Sequence, residues 1–436
     1  MDQIAIRGPE HRRRRWKLVL APVAVLAVAL ALSACGSNSS GAKAGATLTI
    51  ADFSPFSGAN SDYGYLEQTG CEAALHFINA GGGAGGHKLS CLIVDSRGDP
   101  ADAVPAAQKM LATTSNLVAV VDQNSGLLTA TVPLFDSSHI PDLSLGGDIP
   151  FDHNHYQYFW RTIPGDDIAG DALAAYVALK TPYRTIAAVF GNDQAAQGNV
   201  PGLLNGAKNL GLKVTINEPL AIDSTTYETE IQRLKSSNPQ VFASETDPQT
   251  AGVFLGELKQ AGINIPGVLT SGTLLPNWDR AAIAAIGAAS FKKNFVRVML
   301  YAPSSGPAYQ TWIQGLDAIK NTVRDAGKDA QQFYSEAPYD NVNEVALAIQ
   351  ASHSTDPSVI NNWIPKITQG TTVVHTFAEG KAALVAGKTI DYVGVTGQVH
   401  FNQYHNNAGV WAAQQPLTSK VISILSPTDV ERAVGH

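Results

Sequence analysis

Five short segments bring together the small, polar and acidic side chains that hold a solute by hydrogen bonds and charge. They are Asp122-Gln123-Asn124-Ser125-Gly126, Gly146-Gly147-Asp148, Gly191-Asn192-Asp193-Gln194, Glu245-Thr246-Asp247 and Ser271-Gly272-Thr273. Each directly follows a short apolar run. Ser125 would cap a helix whose free N–H groups favour an anion such as a carboxylate. Gly146 and Gly147 let the backbone come close to a ligand. Ser125, Asp193 and Thr246 are also residue types that simply cap the helices they precede. For each alone both readings stand, and five such loops together favour a ligand cleft.

No covalent chemistry is spelled out. There is no P-loop, no H-E-x-x-H, no C-x-x-C and no G-x-S-x-G. Gly81, Gly83 and Gly86 match G-x-G-x-x-G by letter, but they follow a helix and precede a strand, the reverse of a dinucleotide site. Asp148, Asp152, His153 and His155 cluster in sequence, and His400 and His405 add imidazoles elsewhere, yet none has a ligand spacing of a known metal site. No cofactor, no metal and no enzymatic activity are expected. The aromatic group Tyr156, Tyr158, Phe159 and Trp160 reads as core or interface packing.

The elements that must position these loops alternate regularly. Strand-like runs at Thr47–Ile50, Lys88–Val94, Asn116–Val121 and Ile140–Leu145 are interleaved with helical stretches Tyr63–Asn79, Pro100–Ala112 and Leu127–Ser137. The pattern restarts with a helix at Asp166–Leu179, then a strand at Thr185–Phe190 and a helix at Ala195–Leu210. It runs on through Leu212–Glu218, Thr226–Lys235, Val241–Ser244, Gln249–Ala261 and Gly267–Thr270. Such alternation argues for parallel βαβ units, here an α/β fold of two successive open sheets. Tyr158–Thr162 and Phe295–Tyr301 look like strands that carry the chain between lobes, and helices Ala308–Ala326 and Asn341–Ser352 would return to the first. In open α/β sheets ligands sit beyond the carboxyl ends of the strands, where the five loops fall.

The N-terminal segment reads as an export signal. Arg12, Arg13, Arg14, Arg15 and Lys17 precede an apolar run, Leu18 to Leu32, that is shorter than the roughly 20 residues of a comfortable membrane span. Leu32-Ser33-Ala34-Cys35 then resembles a lipobox, so residues 1–34 are expected to be cleaved and Cys35 lipidated. Residues 35–46, Gly/Ser-rich, would form a flexible tether. Without residues 1–34 the chain keeps 24 basic side chains (30 − 6) and 35 acidic ones (37 − 2), a net charge of −11. A body this acidic, with no basic stripe, is a poor partner for nucleic acid. Cys71 and Cys91 are expected to pair in an oxidising compartment, two buried free thiols being the alternative.

Several motifs carry a family resemblance. Phe53-Ser54-Pro55-Phe56-Ser57-Gly58, Tyr63-Gly64, Ile78-Asn79-Ala80-Gly81-Gly82, Gly86-His87-Lys88-Leu89 and Val94-Asp95-Ser96-Arg97-Gly98-Asp99-Pro100 resemble branched-chain amino-acid-type (type I periplasmic) substrate-binding proteins of ABC importers. Gly191-Asn192-Asp193 and the stretch Gly397 to Phe401 fit the same pattern. The resemblance implies two Rossmann-like lobes joined by three hinge crossovers, with lobe 1 as residues 47–166 plus 298–408 and lobe 2 as 167–297 plus 409–436. It implies a monomer that closes on a small polar molecule, an amino acid foremost, and delivers it to permease subunits at the membrane. By position, Ser125 matches a carboxylate-holding Ser, Gly146 a backbone contact, and Tyr63 and Tyr334 aromatic walls. Asp148 stands where a Thr is frequent, Ala195 and Thr246 where Tyr residues are common, and Ser271 where amino-acid receptors carry an acid for the ammonium. Glu245 or Asp148 could supply that charge; otherwise the ligand is another carboxylate, amide or urea. The candidate ligand set is Tyr63, Gln123, Ser125, Gly146, Gly147, Asp148, Asp193, Glu245, Thr246, Ser271 and Tyr334. A sensor of the same fold is the rival reading.

Overall fold

The computed structural model describes residues 42–435 apart from 325, 327–331, 408 and 419; the export signal, Cys35 and most of the tether lie outside the described residues. The first sheet is wholly parallel. Its strands are β1 (Leu48–Ser54), β2 (Leu89–Asp95), β3 (Leu117–Val121), β4 (Asp142–Ser144) and β5 (Phe159–Arg161), in the order β2-β1-β3-β4-β5. All five residues of β3 are buried, the continuous apolar run expected of a parallel strand covered on both faces. The second sheet contains β6 (Thr185–Gly191), β7 (Lys213–Leu220), β8 (Val241–Ser244), β9 (Gly267–Leu269) and β10 (Phe295–Leu300). A small third sheet holds β11 (Thr372–Val374), β12 (Ile390–Gly394) and β13 (Gly397–Gln398). An antiparallel hairpin, β14 (Trp411–Gln415) and β15 (Lys420–Leu425), then extends the second sheet to the order β15-β14-β10-β9-β8-β6-β7.

The chain passes between the two sheets three times: after Arg161, after Leu300, where β10 ends, and before Trp411. The expected limit at residue 297 thus falls inside β10. Two expected helices shift. The one expected over 308–326 is regular only over Pro307–Ile319, and the one expected from Asn341 begins eight residues earlier and spans Phe333–Ser352.

Glycines set two helix crossings. A Cβ on Gly70, in the helix Asp62–Ala80, would stand 2.3 Å from the Ser335 carbonyl oxygen. A Cβ on Gly202, in the helix Gln194–Asn209, would stand 1.7 Å from the Asp167 carbonyl oxygen of the helix Asp166–Lys180. The G-x-G-x-x-G letters form the turn between the Asp62–Ala80 helix and β2, where Gly82, Gly83 and Gly86 have φ of +83°, +76° and +85°. Cys71 of that helix is disulfide-bonded to Cys91 of β2, with Cα atoms 6.4 Å apart. Phe151 packs on Phe159, and Trp160 stacks on His405 with centroids 3.8 Å apart.

Candidate functional site

In each sheet the order reverses once, between β1 and β3 and between β6 and β8, and ligands favour the strand ends at such switch points. The loops leaving β1, β3, β6, β8 and β9 converge there on a cavity of about 430 Å³ between the two sheets. Of the expected residues, Tyr63, Ser125, Asp193, Glu245, Thr246, Ser271 and Tyr334 line it. The described residues lining it include Asp99, Asp166, Asp193, Asp223, Glu245 and Asp247 but no Lys, Arg or His. Leu127, Leu145, Leu300, Phe333 and Trp411 supply apolar wall.

The remaining expected residues stand behind the wall. Gln123 is fully buried: it donates to Asp142 and accepts from Thr131, because the side chain just past β3 turns into the sheet. Gly146 donates its N–H to Ser144 Oγ at 2.9 Å, and a Cβ there would press on Leu128. Gly147 donates its N–H to Ser125 Oγ at 2.7 Å. Asp148 does not line the cavity. Its two carboxylate oxygens accept the Gly126 N–H at 2.9 and 3.0 Å, and it also takes the Leu128 N–H at the start of the helix Leu128–Ser137. The anion expected at that helix N-terminus is therefore the chain's own. Burial pushes Asp148 up to about 6, against the pull of Gly126 and Arg161. Gln194 Nε2, from the second sheet's side, donates to Asp148 Oδ1 at 3.0 Å.

The capping alternatives divide. Asp193 does cap, accepting from Ala196 N at 3.0 Å. Ser125 caps nothing; its hydroxyl accepts from Gly147 and donates to Asp166 Oδ2 at 3.2 Å. At 246 it is the next residue, Asp247, that caps, accepting from Gln249 and Thr250. Thr246 is buried, and its carbonyl takes the Trp278 indole N–H at 3.0 Å.

Asp166 is the site residue that sequence reasoning missed. It follows the first crossover, donates its N–H to Gly147 O at 2.7 Å, and faces Ser125. Burial, then the nearby charges of Glu245 and Asp148, raise its carboxyl well above the ordinary value. Glu245, past β8, accepts at Oε2 from Thr270 Oγ1 and from Asn199 Nδ2, the latter at 3.2 Å, and burial pushes it up to about 7. Tyr63 and Tyr334 meet edge to face, 4.7 Å between centroids, and the Tyr63 hydroxyl crosses the cleft to donate to Gly272 O at 2.9 Å. Beside it Asp62 accepts from Asn277 N at 3.0 Å and pairs with Arg280 at 3.3 Å. These bonds from one lobe to the other hold the cleft closed.

A profile of the periplasmic binding protein family matches residues 47–412. The leucine-, isoleucine-, valine-, threonine- and alanine-binding protein of Pseudomonas aeruginosa is 23% identical over 327 residues, 72% of this chain and 81% of that protein. Among solved structures, a leucine-binding protein of Thermotoga maritima superimposes with a TM-score of 0.71 at 15% identity, covering 88% of this chain and 99% of that one. A solute-binding protein of R. palustris in complex with benzoate does so with a TM-score of 0.67 at 15% identity, covering 87% and 96%. The chain belongs to the periplasmic binding protein family, of the type that includes the branched-chain amino-acid receptors, whose members bind solutes and are not enzymes.

Proposed function

We propose that this chain is an extracytoplasmic solute receptor, tethered to the outer face of the membrane by a lipid on Cys35, that delivers its ligand to an ABC permease. The two lobes close on one small polar molecule bearing an amino group. The observation that carries this reading is the cavity where loops from the carboxyl ends of both sheets meet, with Glu245 and Asp166 on its wall. Relatives that bind leucine and other amino acids support the amino group as the shared feature. None of the described helices is long and apolar enough to cross a membrane.

The test is a thermal-shift screen of the full chain in mild detergent against amino acids, amines, amides, ureas and small carboxylates. A ligand that binds only the folded state raises the melting temperature by mass action. A solute that does so, and also shrinks the radius of gyration in solution scattering, is the expected result. A panel in which no solute does either refutes the receptor reading.

A further inference from the structure

The polar groups of this cleft are unevenly spent. On the first lobe the donors are committed inside the protein. Gly126 and Leu128 give their N–H groups to Asp148, Gly147 gives its own to Ser125, and Ser125 gives its hydroxyl proton to Asp166. Asn124 donates to Glu67 Oε1 at 2.8 Å, and from the second lobe Gln194 donates to Asp148. Acceptors, by contrast, are left over. Asp166 uses only Oδ2 and Glu245 only Oε2, so Asp166 Oδ1 and Glu245 Oε1 carry no hydrogen bond from the described residues. The described lining holds no cationic side chain to answer them.

An incoming carboxylate would therefore meet spent donors and two of the chain's own carboxyl groups, Asp148 on the helix N-terminus and Asp166 on Ser125. Where ionised, those carboxyl groups repel it, and a buried anion without donors is costly. A group rich in N–H donors meets the opposite: two free carboxyl oxygens, with the aromatic pair Tyr63 and Tyr334 on the same wall.

We propose that the cleft selects a small organic cation lacking a carboxylate, an amine or guanidine held between Asp166 and Glu245. This rests on the receptor reading above and narrows its ligand. Asp166 is the specificity-determining residue, since its side chain fills the place beside Ser125 that a ligand carboxylate would need. Glu245, just past β8, is the second partner for the cation.

The experiment compares matched pairs, each an α-amino acid and its decarboxylated amine: leucine with 3-methylbutylamine, arginine with agmatine, ornithine with putrescine. Titration calorimetry and thermal shift are run on the full chain in detergent at pH 8. At least one amine should bind about tenfold or more tightly than its parent amino acid, the scale of losing hydrogen bonds to a charged group. In Asp166→Asn the amino acid should gain and the ratio fall about tenfold. Glu245→Gln, which leaves the helix start at Asp166 untouched, should weaken amine binding about tenfold. Parent amino acids binding more tightly than their amines, no amine binding at all, or a ratio unmoved by Asp166→Asn would each overturn the proposal. The receptor reading would survive any of these if another solute still closed the lobes in scattering.

Discussion

Glu245→Gln should make the ligand-free protein more stable at pH 8 and leave it nearly unchanged at pH 5. In the folded state burial holds this carboxyl at about 7, against an ordinary value of 4.5. The fold binds the proton more tightly than the unfolded chain does. The group's stabilising contribution is therefore complete below pH 4.5 and lost as pH rises through 7. At 1.36 kcal/mol per pH unit the full loss is roughly 3 kcal/mol. The cleft admits some water to Glu245, so we expect about 1–3 kcal/mol at pH 8. Glutamine cannot ionise, and its amide oxygen can still accept from Asn199 and Thr270. Urea unfolding of wild type and variant at both pH values, followed by tryptophan fluorescence, measures the difference. A variant less stable than wild type at pH 8, or one shifted equally at both pH values, would refute the reasoning.

Three further substitutions probe the frame around the cleft. Gly202→Ala would drive a methyl into the Asp167 carbonyl, so it should cost about 1–3 kcal/mol or more, read as a lower melting temperature. The Cys71–Cys91 disulfide closes a segment with a sequence separation of 20, so replacing both cysteines with Ser should cost about 3 kcal/mol in the absence of reductant. Asp62→Ala removes the acceptor for Asn277 N, and the loss of about 1 kcal/mol should disfavour the closed form and weaken a lobe-closing ligand about fivefold, read by titration calorimetry; Arg280, largely exposed, adds little to that figure.

Sequence made the parallel strands plain because β3 and β6 are short, almost wholly apolar runs buried on both faces. The β14–β15 hairpin was missed. Val421, Ile422 and Ile424 are all substantially exposed, so the run lacks the one-sided alternation that marks an antiparallel edge. The start of the Phe333–Ser352 helix was missed for the opposite reason. Tyr334, Ser335, Glu336, Pro338 and Asp340 give no apolar stripe, yet every one is buried, their polar groups turned inward. In the site, loop position after a strand was enough to find Ser125, Asp193, Glu245 and Ser271. It could not find Asp166, which looks like an ordinary acidic residue in a helix's first turn and reaches the cleft only because the crossover carries it there.

The acids behind the cleft bear on the same balance. Asp52, Glu67 and Asp122 are completely buried, and burial raises all three; the charge of Asp52 adds to the rise of Glu67 and Asp122, and that of Glu72 to the rise of Asp52. Asp52 Oδ2, Glu67 Oε2 and Asp122 Oδ2 accept no hydrogen bond from the described residues. Protons on these oxygens turn acceptors into donors, which is how the cluster can exist without a cation. Glu67 in turn fixes Asn124, next to Ser125 on the wall. Asp95 and Asp429 move the other way, lowered despite some burial by hydrogen bonds near the surface, and two such groups do not offset the buried set. The ligand-free chain should accordingly melt at a higher temperature at pH 5 than at pH 8, the reverse of a fold held by carboxylate ion pairs; a higher melting temperature at pH 8 would contradict the burial argument. An amine, however, binds the ionised forms of Asp166 and Glu245, so its affinity should fall with acidity below pH 7, approaching tenfold per unit for each proton that must leave. Stability and affinity therefore run in opposite directions along one pH axis. The acids that weaken the empty fold at neutral pH are the groups that give the cleft its charge, a trade expected where a binding site is kept at the expense of its scaffold.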